Sequence, residues 1–236
     1  SPYPFDDSDV YKIMEGASYI LAVQDDPALD HYIDSLITLI GAAQEPDGYL
    51  YTTRTIGGET VHPWAGSKRW ENERDNSHEL YNVGHMYEAA VAHYQATGKR
   101  NFLDIAIKSA DLLCEVFGPG EGQITVAPGH QEVEIGLVKL YRATGDKRYL
   151  DLSQFFLESR GKYEGYDRTS DDRYRSGSYW QDHKPVVEQD EAVGHAVRAA
   201  YMYSAMSDIA ALKGDTRFVE AVGKLWDNVV GKKMYI

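Results

Sequence analysis

The chain has 236 residues, 43% of them hydrophobic, and is long enough for one domain or two small ones with a sizeable buried core. Its 37 acidic and 24 basic side chains give a formal net charge of −13, which disfavours binding to nucleic acid or to an anionic membrane surface. No apolar run approaches the roughly 20 residues of a membrane span, and the single cysteine, Cys114, excludes an internal disulfide and a cysteine-rich zinc site within this chain.

Hydrophobic residues recur at helical spacing along most of the chain. The first such segment, 9–23, carries Val10, Ile13 and Ala17 on one face, with Ser8 or Asp9 as its N-cap. Seven similar segments follow: 28–44, 79–96, 101–117, 131–143, 147–159, 192–212 and 216–230. No convincing strand pattern lies between them. The sequence therefore predicts an all-α fold.

One short pattern joins three pairs of these helices. Gly98, Gly145 and Gly214 are each followed four residues later by an aromatic residue, then by an aliphatic residue and an acid. The glycine would end one helix in the left-handed conformation. The two hydrophobic residues would then anchor the next helix on the core, and the acid would lie in its first turn. A degenerate fourth copy at 25–30 joins the first two helices, so the sequence predicts four αα-hairpins.

The long connections fall between hairpins, at 45–77, 118–129 and 160–191. Open solenoids prefer near-constant periods and short connections. We therefore predict that the hairpins curve into an α/α toroid, in which four hairpins form an incomplete ring. The chain lacks an initiator Met and ends in Met234-Tyr235-Ile236, which favours a piece of a longer protein.

Three histidines occupy equivalent places in this repeat. His78, His130 and His195 each precede the first helix of a hairpin, and in a toroid those helices point the same way. We therefore expect the three side chains to converge on one cavity. Neutral imidazoles bind sugar hydroxyls well, since one nitrogen donates and the other accepts. Two alternatives remain: a general preference for polar residues at helix starts, and a three-histidine zinc site, disfavoured because no local zinc spacing is present.

Other residues are less informative. We predict packing or surface roles for His85 and His93, whereas His183 in a loop could face a site. In 44–54, Tyr49 and Tyr51 follow a Pro-Asp-Gly turn and form either part of that turn or a sugar platform. The 70–77 segment is predicted to be either a site lining or a solvated loop, and 163–191 a lid or rim. Cys114 is predicted to be a buried packing thiol in the middle of its helix. No role is predicted for His31, which lies in a helix, or for His62, which lies in a loop.

Several of these segments, in this order, resemble glycoside hydrolase family 127, the β-L-arabinofuranosidases and their relatives. The segments are Asp7–Lys12, Pro46–Leu50, Ser77–Tyr81 with Gly84-His85, Gly129–Glu134 and Gly194–Arg198. The resemblance runs from about residue 5 to the last residue. It implies an (α/α)6 barrel followed by β-sandwich domains, and hydrolysis of a terminal furanosidic bond with retention.

The resemblance also implies which residues act. The family's nucleophile is a zinc-bound Cys thiolate and its acid/base is a Glu, and both lie beyond the Met-Tyr motif that Met234-Tyr235 resembles. We therefore expect no catalytic and no metal-binding residue in this chain, with zinc only in the full-length protein, and Cys114 matches none of the family's cysteines. His78, His130 and His195 match three family histidines that contact arabinose, so they are predicted to bind the substrate.

These observations predict that residues 1–236 form a single domain, about four hairpins of an (α/α)6 barrel, inactive by itself. The expected partner is an arabinofuranoside-containing glycan or oligosaccharide, with neither nucleic acid nor membrane. Two alternatives stay open: another α/α-toroid sugar enzyme, such as an unsaturated glucuronyl hydrolase or an epimerase, and a non-catalytic helical-hairpin binding module. Oligomeric state stays open, as does compartment, with a soluble protein of a bacterial periplasm or cytoplasm expected.

Overall fold

The computed structural model describes residues 3–57 and 62–234, and the regular structure in these ranges is helical apart from a bridge between Phe117 and Ile124. All eight predicted helices are present. An additional short one, α3, lies in the first long connection, where none was predicted. The helices are α1 (Asp7–Leu21), α2 (Pro27–Ala43), α3 (Thr52–Gly57), α4 (Glu79–Thr97), α5 (Asn101–Val116), α6 (Val133–Thr144), α7 (Lys147–Ser159), α8 (Ala196–Lys213) and α9 (Thr216–Asn228).

The helices form two concentric arcs. The first helices of the four hairpins pack side by side in the order α1, α4, α6, α8, and the second helices α2, α5 and α7 pack in the same order behind them. This arrangement is an incomplete α/α toroid, as the repeat predicts. Because partners within a hairpin are antiparallel, the N-termini of the inner helices open on one face. Among the described residues, no helix combines the length and the apolar composition that crossing a membrane requires.

The inter-helix connections follow most of the predicted pattern. Gly98, Gly145 and Gly214 all adopt positive φ and end α4, α6 and α8. The aromatic residues that follow, Phe102, Tyr149 and Phe218, are fully buried. Two details were predicted wrongly: Val219 is 54% exposed, and of the three acids only Asp104 lies in the first turn of its helix. In α7 and α9 an earlier aspartate caps the helix by accepting a backbone N–H bond: Asp146 and Asp215.

The predicted N-cap of α1 was also wrong. The helix begins at Asp7, and Ser8 is buried inside its first turn with its N–H donating to Oδ1 of Asn82 on α4 at 3.2 Å. Ser8 therefore joins two inner helices instead of capping one. Two hydrophobic clusters, one around α4 and one around α8, adjoin at Tyr141. That residues 1–236 form a single domain stays a prediction.

Helices α4 and α6 approach closely because small residues face each other. A Cβ on Gly84 would lie 2.7 Å from the backbone nitrogen of Val133, and one on Gly136 would lie 2.6 Å from the carbonyl oxygen of Gly84. Neither position has room for a side chain. This contact sets the distance between the starts of α4 and α6, where His78 and His130 lie.

Candidate functional site

A cavity of about 300 Å³ opens at the N-terminal ends of α4, α6 and α8. The structure brings all three predicted histidines to it. The ring of His130 lies in the middle, with its centroid 5.8 Å from that of His78 and 5.9 Å from that of His195. Of the described residues, those that line the cavity are Phe5, Trp64, Asn76, His78, Tyr81, His130, Tyr179, His195 and Arg198.

His78 is held by an unusual backbone conformation. It is the residue before α4 and has φ = 61°, a left-handed conformation that costs an L-residue other than glycine about 1 kcal/mol or more. Its Nδ1 lies 2.5 Å from the carbonyl oxygen of Asn76. Because a carbonyl only accepts, Nδ1 must donate, and we assign the unprotonated, accepting nitrogen to Nε2.

His130 is held by its own loop. Its Nδ1 donates to the carbonyl of Gln131 at 2.8 Å, which also leaves Nε2 as an acceptor. The buried Arg160 donates to the carbonyl of Pro128 at 2.6 Å and to that of Trp180 at 3.0 Å. This side chain ties the loop before α6 to the loop before α8.

His195 has the opposite tautomer. It is the N-cap of α8, and its Nδ1 accepts the backbone N–H of Arg198 at 3.4 Å, so Nε2 carries the proton. Buried Gln181 donates to the carbonyls of Val193 and His195 at 2.8 and 3.1 Å. The cavity therefore combines two ring nitrogens that accept with one that donates.

All three rings are neutral near neutral pH. Burial lowers the pKa of His78 to about 4, and burial together with the nearby Arg198 lowers that of His130 to about 2. The pKa of the more exposed His195 is lowered by the same two causes. Neutral imidazoles suit a ligand of hydroxyl groups better than an anion.

Among the described residues that line the cavity, Arg198 is the one that carries a charge. Its side chain is 4% exposed, and neither Nε nor Nη1 has a hydrogen-bond partner among the described residues. Its guanidinium lies 4.9 Å from the ring centroid of Tyr179. Burial lowers the pKa of Arg198 to about 10, so the group stays charged at neutral pH. Because these two Arg198 nitrogens lack acceptors and the residue lines the cavity, they are available to donate to oxygen atoms of a ligand.

Aromatic rings form the remaining walls. Tyr81 packs on His130 with centroids 4.4 Å apart, Phe5 packs on His78 at 5.1 Å, and Tyr179 contacts His195 at 5.5 Å. Tyr179 lies in the predicted rim loop. Phe5 and Trp64 lie far from the repeat motifs and carry no sequence signal. Arg198 does carry one, because it follows His195 by three residues, so the first turn of α8 brings both to the same end.

The surrounding loops settle which of the alternative interpretations hold. Tyr49 and Tyr51 do not form a sugar platform: both are buried, and their hydroxyls donate to Glu79 at 2.5 Å and to the Ser77 carbonyl at 2.6 Å. In the 70–77 segment Glu73 and Ser77 are buried, and Asn76 lines the cavity, as the site-lining interpretation predicts. His78 and His130 are each only 8% exposed, so they line the inside of the cavity.

The other histidines lie elsewhere. His85 and His93 are buried on α4, as the packing interpretation predicts, and neither lines the cavity. His31 is exposed on α2, and His62 caps a 3₁₀ turn, Pro63–Ala65. His183 is partly buried, and it too is absent from the cavity wall.

Cys114 does not fit a zinc-bound nucleophile. It lies in the last turn of α5 instead of mid-helix, is half-buried, and borders a different cavity on the outer arc. Burial raises the pKa of its thiol to about 12, the opposite of what thiolate chemistry needs. No step of a thiolate mechanism can therefore be assigned to this residue.

Comparison with known proteins identifies the same family that the sequence motifs resemble. Residues 2–236 match the model of a family described as β-L-arabinofuranosidase, GH127 catalytic domain. The chain is 40% identical over 243 residues to the non-reducing end β-L-arabinofuranosidase of Bifidobacterium longum subsp. longum, covering 98% of this chain and 36% of that protein.

Solved structures of the same family superpose closely on this chain. A GH127 β-arabinofuranosidase superposes with a TM-score of 0.93 at 56% identity, over 100% of this chain and 36% of the other. A GH127 β-L-arabinofuranosidase from Geobacillus stearothermophilus T6 gives 0.89 at 49% identity, over 99% of this chain and 37% of the other. The chain thus spans just over a third of the length of these relatives.

Proposed function

Because the chain belongs to glycoside hydrolase family 127, we propose that the three-histidine cavity binds the terminal sugar of a glycan and that the whole protein releases this sugar as a β-L-arabinofuranosidase. The observation that carries the proposal is the tautomer pattern. Nε2 of His78 and of His130 accept and Nε2 of His195 donates, all around a cavity with room for one monosaccharide. Each sugar hydroxyl can donate and accept, so this set matches a ring with several hydroxyls.

The proposed task of these residues is to bind and orient. The ring of Tyr81 lies tilted against that of His130, and the ring of Tyr179 packs nearly perpendicular to that of His195, which fixes the imidazole orientations before a sugar enters. Arg198 donates to a sugar oxygen with the nitrogens that lack partners. A preorganised set of donors and acceptors places the anomeric carbon without rearrangement of the protein.

The reacting groups are proposed to lie outside this chain. The family resemblance assigns the retaining reaction to a zinc-bound Cys and a Glu beyond Ile236, and Cys114 does not fit that role. In the full-length protein, zinc would supply a thiolate nucleophile at neutral pH. The segment itself is proposed to bind the sugar without turning it over.

One observation favours a second substrate class. A buried guanidinium without a carboxylate partner is costly, and a sugar bearing a carboxylate would compensate the charge of Arg198. Family membership and the uncharged histidines favour the arabinofuranoside, which is therefore the primary proposal.

The test compares both substrates in the full-length protein. We expect turnover of an aryl β-L-arabinofuranoside and little turnover of the matching uronide. H130Q should weaken binding of L-arabinose by about fivefold, the change that about 1 kcal/mol of net hydrogen bonding represents. H31Q, at the exposed position on α2, should leave binding unchanged. Preference for the uronide, or equal effects of H130Q and H31Q, would contradict the proposal.

A further inference from the structure

A second group of polar side chains lies buried between α4 and α6, and none of its members lines the three-histidine cavity. His85 and Glu88 come from α4, and Glu132 immediately precedes α6. One ligand atom from each lies within 4.8 Å of the others. His85 is 4% exposed and Glu132 is fully buried, so water cannot satisfy these groups freely.

The distances match a shared ligand better than mutual hydrogen bonds. Nδ1 of His85 lies 3.3 Å from Oε1 of Glu132 and 3.8 Å from Oε2 of Glu88. Neither ring nitrogen of His85 has a hydrogen-bond partner among the described residues, and the carboxylate of Glu132 can form a hydrogen bond there only by sharing a proton with Glu88. Two ligands of a tetrahedral ion, each about 2.0–2.1 Å from it, stand at a similar spacing of roughly 3.3 Å.

The charges around this group do not balance. Lys139 on α6 forms ion pairs with Glu88 and with Glu15 of α1, the latter at 3.1 Å. Three carboxylates thus face one ammonium, which leaves two negative charges uncompensated. Lys12 approaches from α1, but its ammonium bonds Ser8, Asp9 and the hydroxyl of Tyr81.

Protonation is the other way to reduce this charge. Burial and the adjacent carboxylate of Glu88 raise the pKa of Glu132 well above its usual value. Burial lowers the pKa of His85 to about 4, so its ring is neutral and able to coordinate. A proton shared by Glu88 and Glu132 removes one negative charge, whereas a divalent cation removes both and also occupies the unpartnered nitrogen of His85.

We propose that His85, Glu88 and Glu132 form a binding site for one divalent transition-metal ion, such as Zn²⁺, which joins α4 to α6. One imidazole and two carboxylates are a ligand set that zinc accepts, with water completing the coordination. All three ligands lie between residues 85 and 132, and the metal site does not depend on the sugar-binding proposal. Its role is structural, because it fixes the end of the loop that carries His130.

The test is titration of the metal-free 236-residue chain, first verified as folded by circular dichroism, with Zn²⁺ and with Co²⁺ as a spectroscopic probe. We expect one equivalent to bind, the melting temperature to rise, and Co²⁺ to develop the visible bands of a low-coordinate site. Anomalous diffraction from a zinc-soaked crystal should place the ion among His85, Glu88 and Glu132. E132Q should weaken zinc binding by more than about tenfold, since even outer-shell partners contribute that much.

Two control variants separate this site from others. D34N alters Asp30–Asp34–His93, a partly exposed cluster in which Lys99 already pairs both aspartates, and zinc binding should persist. H130Q alters the three-histidine cavity, and this variant should also still bind zinc at the proposed site. Loss of zinc in H130Q but not in E132Q, or absence of zinc binding at neutral and mildly alkaline pH, would overturn the proposal. The second result would leave the shared proton as the explanation of the cluster. If E132Q does not fold, the position of the ion in the wild-type crystal decides.

Discussion

Arg198 fixes the tautomer of His195 and, by its charge, disfavours protonation of the whole histidine set. Its backbone N–H donates to Nδ1 of His195 at 3.4 Å, while its guanidinium lines the same cavity. One residue in the first turn of α8 thereby determines which ring nitrogen donates and helps to keep three rings neutral. Both effects support the proposal that the cavity binds hydroxyl groups.

Removing that charge should raise the pKa of His130. We expect R198M to move it upward from about 2 but not to 6.5, because burial is the larger cause of the depression. The measurement is an NMR titration of the imidazole signals. R217M removes an exposed arginine on α9 that pairs with Asp215 and Glu158, and it serves as the control. An unchanged His130 titration in R198M would show that the charge does not reach the ring.

The depressed pKa of His130 should make the protein less stable in acid. Below pH 6.5 the unfolded chain binds a proton at this histidine that the folded protein excludes. This histidine therefore leaves the free energy of unfolding unchanged above pH 6.5. Below pH 6.5 it lowers that free energy by about 1.4 kcal/mol for each pH unit. Urea unfolding of wild type and H130Q at several pH values measures this, and the H130Q curve should fall less steeply. Parallel curves would contradict the expectation.

Adding one methyl group between α4 and α6 should destabilise the protein. In G84A the new Cβ would meet the backbone of Val133 and the Cγ of Glu132 at 2.7–2.8 Å, so the two helices must separate. Overpacking of this kind costs about 1–3 kcal/mol. The matched control is G16A on α1, where no atom lies within 4 Å and alanine should stabilise the helix by up to about 1 kcal/mol. Thermal unfolding checks both, and equal melting temperatures would disprove the close contact.

Cys114 should react slowly with alkylating reagents at neutral pH. Its thiol is half-buried and its pKa is raised to about 12, so very little thiolate forms. We expect iodoacetamide to modify the native chain far more slowly than the urea-unfolded chain, as measured by mass spectrometry. C114A should retain sugar binding, because this residue borders a different cavity. Rapid native-state alkylation would indicate a reactive thiol.

The helices and their pairing could be predicted because they depend on local chemistry. Apolar spacing places each helix, and Gly98, Gly145 and Gly214 end three of them since glycine alone adopts positive φ at little cost. One error falls where a tertiary contact outweighs a local preference. Ser8 is recruited by Asn82 instead of capping α1.

The convergence of His78, His130 and His195 also follows from sequence, because the N-terminal ends of the inner helices share one face of the toroid. The positions are equivalent only approximately: His78 and His195 are N-caps, whereas His130 precedes the N-cap of α6 by two residues. Their chemistry does not follow from sequence. Which nitrogen donates depends on the carbonyls of Asn76 and Gln131 and on the N–H of Arg198, and neutrality depends on burial. His85 and Glu132 likewise meet only when α4 and α6 pack. Spacing along the chain determines where a helix begins, whereas desolvation and hydrogen-bond partners arise from residues distant in sequence, so only the tertiary structure decided them.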